Sequence, residues 1–347
     1  MVETLLDKKA EWLTAAGTEA DVAVYTRCRL HRNLADFPFP GQCTLDERRA
    51  VEERVSSALE GLNLLSTGAY FPIADLSALE RRFLVERRLV APTFVETEAP
   101  AGVYVSDDQG LTISINDENH ITITCIASGL QLQDAWSRMS LLDDMLAGTL
   151  DYAFSERLGY LTSSVRDVGT GFRASVLLHF PGLNVANLLS AVTEDVAMKR
   201  HWLESFPEAA RAAQGELHLL RHITNHGRTD EETLFHLKHL AGELITKERE
   251  TRDQLRNDAP LQIEDRVGRA LGVARHARLL ATAEGNSLLS SLRLGVSSGM
   301  LDQFSLQLIN EVFIASQNAH IEMRSGRICD ELQLSAERAD LLRASFA

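Results

Sequence analysis

The sequence predicts an α+β region followed by an all-α segment, and three observations carry that expectation. Residues Leu111 to Ile126 alternate apolar and polar side chains, the period-2 pattern of a half-buried strand pair. A second strand-like run, RASVLLHFP, spans Arg173 to Pro181. After Pro260 the strand signal disappears, and residues 261–347 read as helices. The chain has 347 residues, 45% hydrophobic and 24% charged, an ordinary globular composition long enough for one large domain and one smaller.

Val22–Arg29 reads as a strand, so Arg27 and Arg29, two residues apart, share one face. Residues 44–61 read as a helix opened by Thr44 and Glu47 at capping-box spacing. LTISI and HITITCI flank the polar turn 116–119 as a hairpin, with Ile121, Ile123 and Cys125 on one face and Thr122 and Thr124 on the other. A helix is expected over 130–157, with Leu141, Leu142, Met145 and Leu146 on its apolar side. The turn Gly169-Thr170-Gly171 leads into the RASVLLHFP strand, which Pro181 closes. A long helix is expected from Thr229, capped by Glu232, to about Leu255, and Asn257-Asp258-Ala259-Pro260 breaks it. The expected division is 1–250 for the α+β domain and 251–347 for the helical one.

Composition excludes several functions. A net charge of −14 disfavours nucleic acid as the main partner, since phosphate-backbone binding needs a basic surface, although a local basic pocket for a bound anion remains compatible. No apolar run approaches the roughly 20 residues that cross a bilayer, and MVETLLDKKAEW lacks a secretory apolar core. Cys28, Cys43, Cys125 and Cys329 are scattered, with no CxxC pair, the pattern of reduced thiols in a cytoplasmic protein.

Among candidate motifs, Gly169–Ala174 fits GxGxxG/A in form, but a strand follows it where dinucleotide binding needs a helix. No GxxxxGK[ST] loop is present. His218, His222 and His226 would share a face on a helix, yet ELHLLRHIT suits a strand equally and no Cys or HExxH accompanies it, so no metal site is assigned. Arg27 and Arg29 are costly as a bare pair and call for an anion or carboxylate between them; the alternative is a solvated, basic edge strand. Arg173, opening a strand after a glycine turn, is a candidate of the same kind.

Several stretches in order resemble the ATP:guanidino phosphotransferase (phosphagen kinase) family. YTRCRLHRNL (25–34) resembles its S-[ST]-R-[IV]-R-x-x-R-N strand, and ISINDENHITI (113–123) its NEEDH hairpin. LDYAFSERLGYLTSSVRDVGTGFRASVLLHFPGL (150–183) is similar to the segment with core GYLTSCPTNxGTGLRASVMLHLPAL. LQIEDRVGRALGVARHARLL (261–280) and LLSSLRLGV (288–296) are similar to the tail of the bacterial protein-arginine kinase branch.

This resemblance implies a curved antiparallel sheet flanked by helices, with ATP phosphates in an arginine cage, Mg²⁺ bridging them, and a carboxylate orienting the acceptor guanidinium. It assigns nucleotide binding to Arg27, Arg29, Arg173 with the following Ala174, Ser175, Val176 and Leu177, to Arg200 of a loop resembling RGxxGE, and to Arg88, which stands where the family has a nucleotide-contacting histidine. It assigns the acceptor end to Glu118 and Asp117, and a weak phosphoarginine-binding motif to Asp340 and Arg343, with Ala339 replacing the motif's first arginine; a plain solvated helix end is the alternative. Implied acceptors are client proteins bearing arginine; a kinase activator protein, a Clp-type protease system and a homodimer are compatible partners.

The departures bear on activity. Thr122 stands in place of a cage arginine, Asp117 of a glutamate, Ser164 of the active-site cysteine, Asp167 of an asparagine, and RHWLES (200–205) of RGxxGE. Losing one preorganised charge contact typically costs about 10²–10³ in rate, so a degenerate pseudokinase that binds nucleotide or partners stands beside an active kinase.

Overall fold

The computed structural model describes residues 2–205, 215–223 and 227–347; His226 lies outside them. Among the described residues there are ten strands: β1 (Ala23–Arg32), β2 (Gly68–Pro72), β3 (Gly102–Ser106), β4 (Leu111–Ile115), β5 (Ile121–Ser128), β6 (Phe154–Ser155), β7 (Gly159–Tyr160), β8 (Phe172–His179), β9 (His201–Ser205) and β10 (Leu217–His222). The helices are α1 (Leu45–Gly61), α2 (Ala78–Glu86), α3 (Leu132–Ala147), α4 (Pro181–Val185), α5 (Leu189–Met198), α6 (Asp230–Asp258), α7 (Pro260–His276), α8 (Thr282–Ser297), α9 (Leu306–Ala315), α10 (Asn318–Ser325) and α11 (Glu331–Phe346). Among the described residues no helix is long and apolar enough to cross a membrane.

Eight strands form one antiparallel sheet in the order β2-β3-β4-β5-β1-β8-β10-β9, while β6 and β7 make a separate two-stranded ribbon. Strand alternation gives the sheet two unlike faces. One carries Cys28, Leu30, Ile113, Ile123, Val176 and Leu220 into the main core, against α1, α3 and α6. The other carries Thr122, Thr124, Arg27, Arg29, Arg173 and Ser175, then turns apolar at Tyr25, Leu177 and Leu219, where Trp12 and Ile314 cover it. A smaller core forms around Phe71, Phe83, Phe94 and Val103, and the tail helices α7, α8, α9 and α11 enclose their own around Leu289, Leu292, Leu342 and Phe346.

The helix starts follow their caps. Thr44 and Glu47 form the expected capping box, as do Thr229 and Glu232; Ser77 with Glu80 and Asp330 with Gln333 form two more. The expected helix over 130–157 stops at Ala147. Beyond it the backbone is drawn into other pairings: the Ala153 amide donates to the Asn33 carbonyl at 2.7 Å, and Leu34 bridges Tyr152. The buried side of α3 is Leu132, Ala135, Met139, Leu142 and Leu146; Leu141 and Met145, expected inside, are exposed because the neighbouring sheet lies about one position around the helix. α6 runs unbroken past residue 250, and the chain changes direction at Ala259-Pro260.

Candidate active site

Antiparallel pairing sets the site. Arg29 lies opposite Arg173 across β1 and β8, and Arg27 lies opposite Ser175; one strand further, Arg221 lies opposite Ser175 on β10. All sit on the polar face, so three neighbouring strands deliver cations to one place. The resulting cleft holds about 260 Å³ and is lined by Arg27, Arg29, Arg166, Arg173 and Arg221 against two carboxylates, Asp167 and Glu204. A concentration of guanidinium groups in a net acidic chain marks an anion site, since their mutual repulsion is costly without a counter-charge.

The turn before β8 fixes Arg173. Gly171 has φ +70°, and a Cβ there would lie 2.5 Å from the His31 carbonyl oxygen, so only glycine fits the close approach. The His31 amide donates to the Gly171 carbonyl at 2.9 Å. Arg32, on the opposite side of β1 from Arg29, clamps the turn. It donates to the Thr170 carbonyl at 2.8 Å and to Asp143 at 2.7 Å, with its guanidinium 3.5 Å from the Tyr160 ring centroid. Arg173 itself is engaged by a forked pair from Nε and one terminal nitrogen to the two oxygens of Asp167, both at 2.5 Å. Asp167 is 1% exposed, whereas the Arg173 side chain is 37% exposed. The buried acid therefore holds the accessible cation from behind.

Thr122, where the resemblance led to an arginine being expected, brings no cation to this face. Its hydroxyl lies 3.2 Å from His31 Nδ1, and both are buried. Burial, reinforced by Arg173, Arg29 and Arg32, holds His31 well below the usual histidine range, so it is neutral.

The hairpin tip is pinned at both ends. Asn116, at φ +62°, donates to the Arg48 and Pro100 carbonyls at 2.7 and 2.9 Å. Asn33 accepts from the His120 amide at 2.8 Å and donates to Asn119 at 3.0 Å. Between these anchors Asp117 is half-buried and Glu118 exposed. Burial raises the Asp117 carboxyl above its ordinary range, while the Arg29 guanidinium pulls it back. Neither Asp117 nor Glu118 lines the cleft, but a carboxylate of raised proton affinity within electrostatic reach of Arg29 suits proton acceptance from a guanidinium.

The other sequence-predicted residues are distributed as follows. Ala174 and Ser175 line the cleft; Val176 is buried in the core on the opposite face; Leu177 lines a small, mostly apolar cavity of about 30 Å³. Arg88, buried and at φ +66°, borders that same small cavity rather than the cleft. Arg200 is exposed in the turn before β9, outside the cleft lining. Asp340 and Arg343 pair with each other on α11, and Arg343 also donates to the Ala277 carbonyl. Asp340 borders a surface groove with Arg324, Arg327 and Glu337. His218 is on a strand, stacked 5.7 Å from Phe180.

Sequence reasoning passed over Arg166, Arg221 and Glu204. Arg221 enters the cleft through register, opposite Ser175 on β8, which its own run of residues, Leu219-Leu220-Arg221, does not signal.

Comparison with known proteins matches residues 50–251 to the family "ATP:guanido phosphotransferase, C-terminal catalytic domain", and residues 260–347 to "Protein-arginine kinase McsB C-terminal domain". The protein-arginine kinase of Symbiobacterium thermophilum is 33% identical over 342 residues, covering 98% of this chain and 97% of that one. That of Pelotomaculum thermopropionicum is 35% identical over 348 residues, covering 99% and 98%. Among solved structures, lombricine kinase aligns with TM-score 0.59 at 20% identity over 70% of this chain and 71% of that chain. The duplicated taurocyamine kinase of Schistosoma mansoni with bound transition-state-analogue components gives TM-score 0.59 at 22% identity over 69% of this chain and 36% of that longer chain. The likeness to these structures is one of fold, an antiparallel sheet flanked by helices.

Proposed function

From the premise that the chain belongs to the ATP:guanido phosphotransferase family, we propose that it is a protein-arginine kinase, moving the γ-phosphoryl group of ATP to arginine side chains of client proteins. The observation that carries this is the cleft in which Arg27, Arg29 and Arg173 meet, with Asp117 of the hairpin tip within electrostatic reach of Arg29. Phosphoryl transfer asks a protein mainly for positioning and for neutralisation of phosphate oxygens. Forked, permanently charged guanidinium groups on two rigid neighbouring strands supply both.

Arg27, Arg29 and Arg173 bind the phosphates and hold them in line with the acceptor. Glu118, exposed at the tip, orients the incoming guanidinium. Asp117 takes the proton that must leave before the guanidinium nitrogen attacks phosphorus; the new N–P bond forms as the bond to the ADP leaving oxygen breaks. Among the described residues no group of three or more His, Cys, Asp or Glu is arranged to hold a metal ion. When bound, Mg²⁺ supplies further neutralisation through the nucleotide's own phosphate oxygens.

The test is incubation of the full chain with Mg²⁺ATP and an unfolded protein substrate, with any activator supplied, followed by detection of acid-labile phosphoarginine. Signal above an Arg173→Ala control is expected. Its absence overturns the reading.

A second reading is favoured by one observation: the buried Asp167 already engages Nε and one terminal nitrogen of Arg173. In this reading the chain is a pseudokinase that binds nucleotide and regulates an active kinase or stress-response proteolysis. Calorimetric binding of Mg²⁺ATP without turnover supports it, and turnover at the rates of active relatives removes it.

A further inference from the structure

We propose that Arg221 is a phosphate-binding residue of the cleft, a cation supplied by β10 and held in place by Trp202 and Glu204 of β9. This rests on the nucleotide reading above and extends it to a residue the family motifs do not mark.

Register places the three side chains together. Trp202 pairs directly with Arg221 between β9 and β10, and Glu204, two residues along, lies on the same face. The Trp202 ring centroid is 4.4 Å from the guanidinium carbon, and Arg221 Nε donates to Glu204 at 2.9 Å. One flat side of the guanidinium is thus covered by the indole and its inner edge is fixed by a carboxylate. Stacking and edge-pairing together leave a long side chain little rotamer freedom to lose when it binds an anion.

Stability does not account for this arrangement. The Arg221 and Glu204 side chains are 30% and 33% exposed, partly open to water, and a single ion pair with that access shifts the folding equilibrium by on the order of fivefold or less. Trp202 is itself 39% exposed, a large apolar surface left at the cleft's edge. What the arrangement achieves is direction: Arg221 lines the same cavity as Arg27, Arg29 and Arg173, opposite Ser175 on β8. Thr122 leaves β5 without the expected cation, and Arg200 is turned out of the cleft. β10 returns a positive charge to the set from the opposite side. The ligand chemistry it fits is the polyphosphate of a nucleoside triphosphate.

Calorimetric titration of Mg²⁺ATP into the full chain tests this, using Arg221→Ser, Arg221→Lys, and the relocated pair Glu204→Arg/Arg221→Ser. Losing a charge-assisted contact predicts affinity about 10- to 100-fold weaker for Arg221→Ser. Arg221→Lys keeps the charge but loses the fork and the stack, and falls between. The relocated pair, which offers an arginine from the same face of β9, recovers most of the lost affinity. Should Arg221→Ser fail to fold by circular dichroism, the lysine variant and the relocated pair decide on the same comparison. Wild-type affinity in Arg221→Ser, with binding lost in Arg173→Ala, overturns the role of Arg221 and leaves the nucleotide reading standing. No Mg²⁺ATP binding by the wild-type chain overturns both.

Discussion

Replacing Asp167 with asparagine, the residue that the motif resemblance puts at this position, is expected to tighten Mg²⁺ATP binding. Asp167 is almost fully buried and engages Arg173 through two bonds of 2.5 Å, while the Arg173 side chain is 37% exposed toward the cleft. An incoming phosphate must share Arg173 with that carboxylate and also meet its negative charge. Two like unit charges about 4 Å apart repel by roughly 4 kcal/mol at the effective dielectric typical near protein surfaces. Solvent reaching Arg173 and the oxygen that asparagine retains as an acceptor cut the net change to about 1–2 kcal/mol, or roughly a 5- to 30-fold lower Kd. Isothermal titration of wild type, Asp167→Asn and Asp167→Ala with Mg²⁺ATP measures it. Asparagine should exceed alanine, because it still orients Arg173 through one hydrogen bond. An Asp167→Asn affinity equal to or weaker than wild type refutes the reasoning, and shows that the acid organises Arg173 for binding rather than competing with its ligand.

Other expectations concern stability. Gly171→Ala should cost about 1–3 kcal/mol by urea denaturation and weaken nucleotide binding as well, since it strains a left-handed residue against the His31 carbonyl and shifts the start of β8. Arg338→Ala should cost about 3–5 kcal/mol in the same assay: Arg338 is 2% exposed and donates to the Ser316 and Leu280 carbonyls and to Asn318, at 2.9, 2.7 and 2.6 Å. A loss under 1 kcal/mol would contradict that accounting. Burial pushes His120 and His218 down to about 4, so below pH 6.5 the unfolded chain takes up protons that the native chain refuses. Stability present above pH 6.5 is therefore lost as pH falls toward 4, by up to about 1.4 kcal/mol per unit for each such histidine. The Tm should drop between pH 7 and 5, and less steeply in His218→Phe; equal slopes would rule out His218 as a contributor. Asp117, Asp230 and Glu248, raised by burial, titrate in the opposite sense, so the variant comparison isolates the histidine.

Much of this protein was legible in the residues alone. Period-2 alternation put Arg27 and Arg29 on one face and separated Ile121, Ile123 and Cys125 from Thr122 and Thr124, because side-chain direction in a strand is local geometry. The caps at Thr44 and Thr229 were legible for the same reason: a cap satisfies amides within its own first turn. The family motifs, which are runs of adjacent residues, carried the antiparallel sheet and the helical tail.

Neighbours from distant parts of the chain were not legible. That Thr122 meets His31, and that Arg221 joins the cleft while Arg200 does not, depend on which strands pair and in what register. Register is fixed by burying one whole face of the sheet, an energy summed over many strands and written in no single one of them. The same holds for α3, whose apolar pattern ran on to residue 157 but whose helix ends at Ala147, where Asn33 and Leu34 of another segment take over its backbone partners. The sequence determined which residues could bind phosphate. Tertiary pairing decided which of them face one another across the cleft, and buried the acid, six residues away in sequence, that holds one of them.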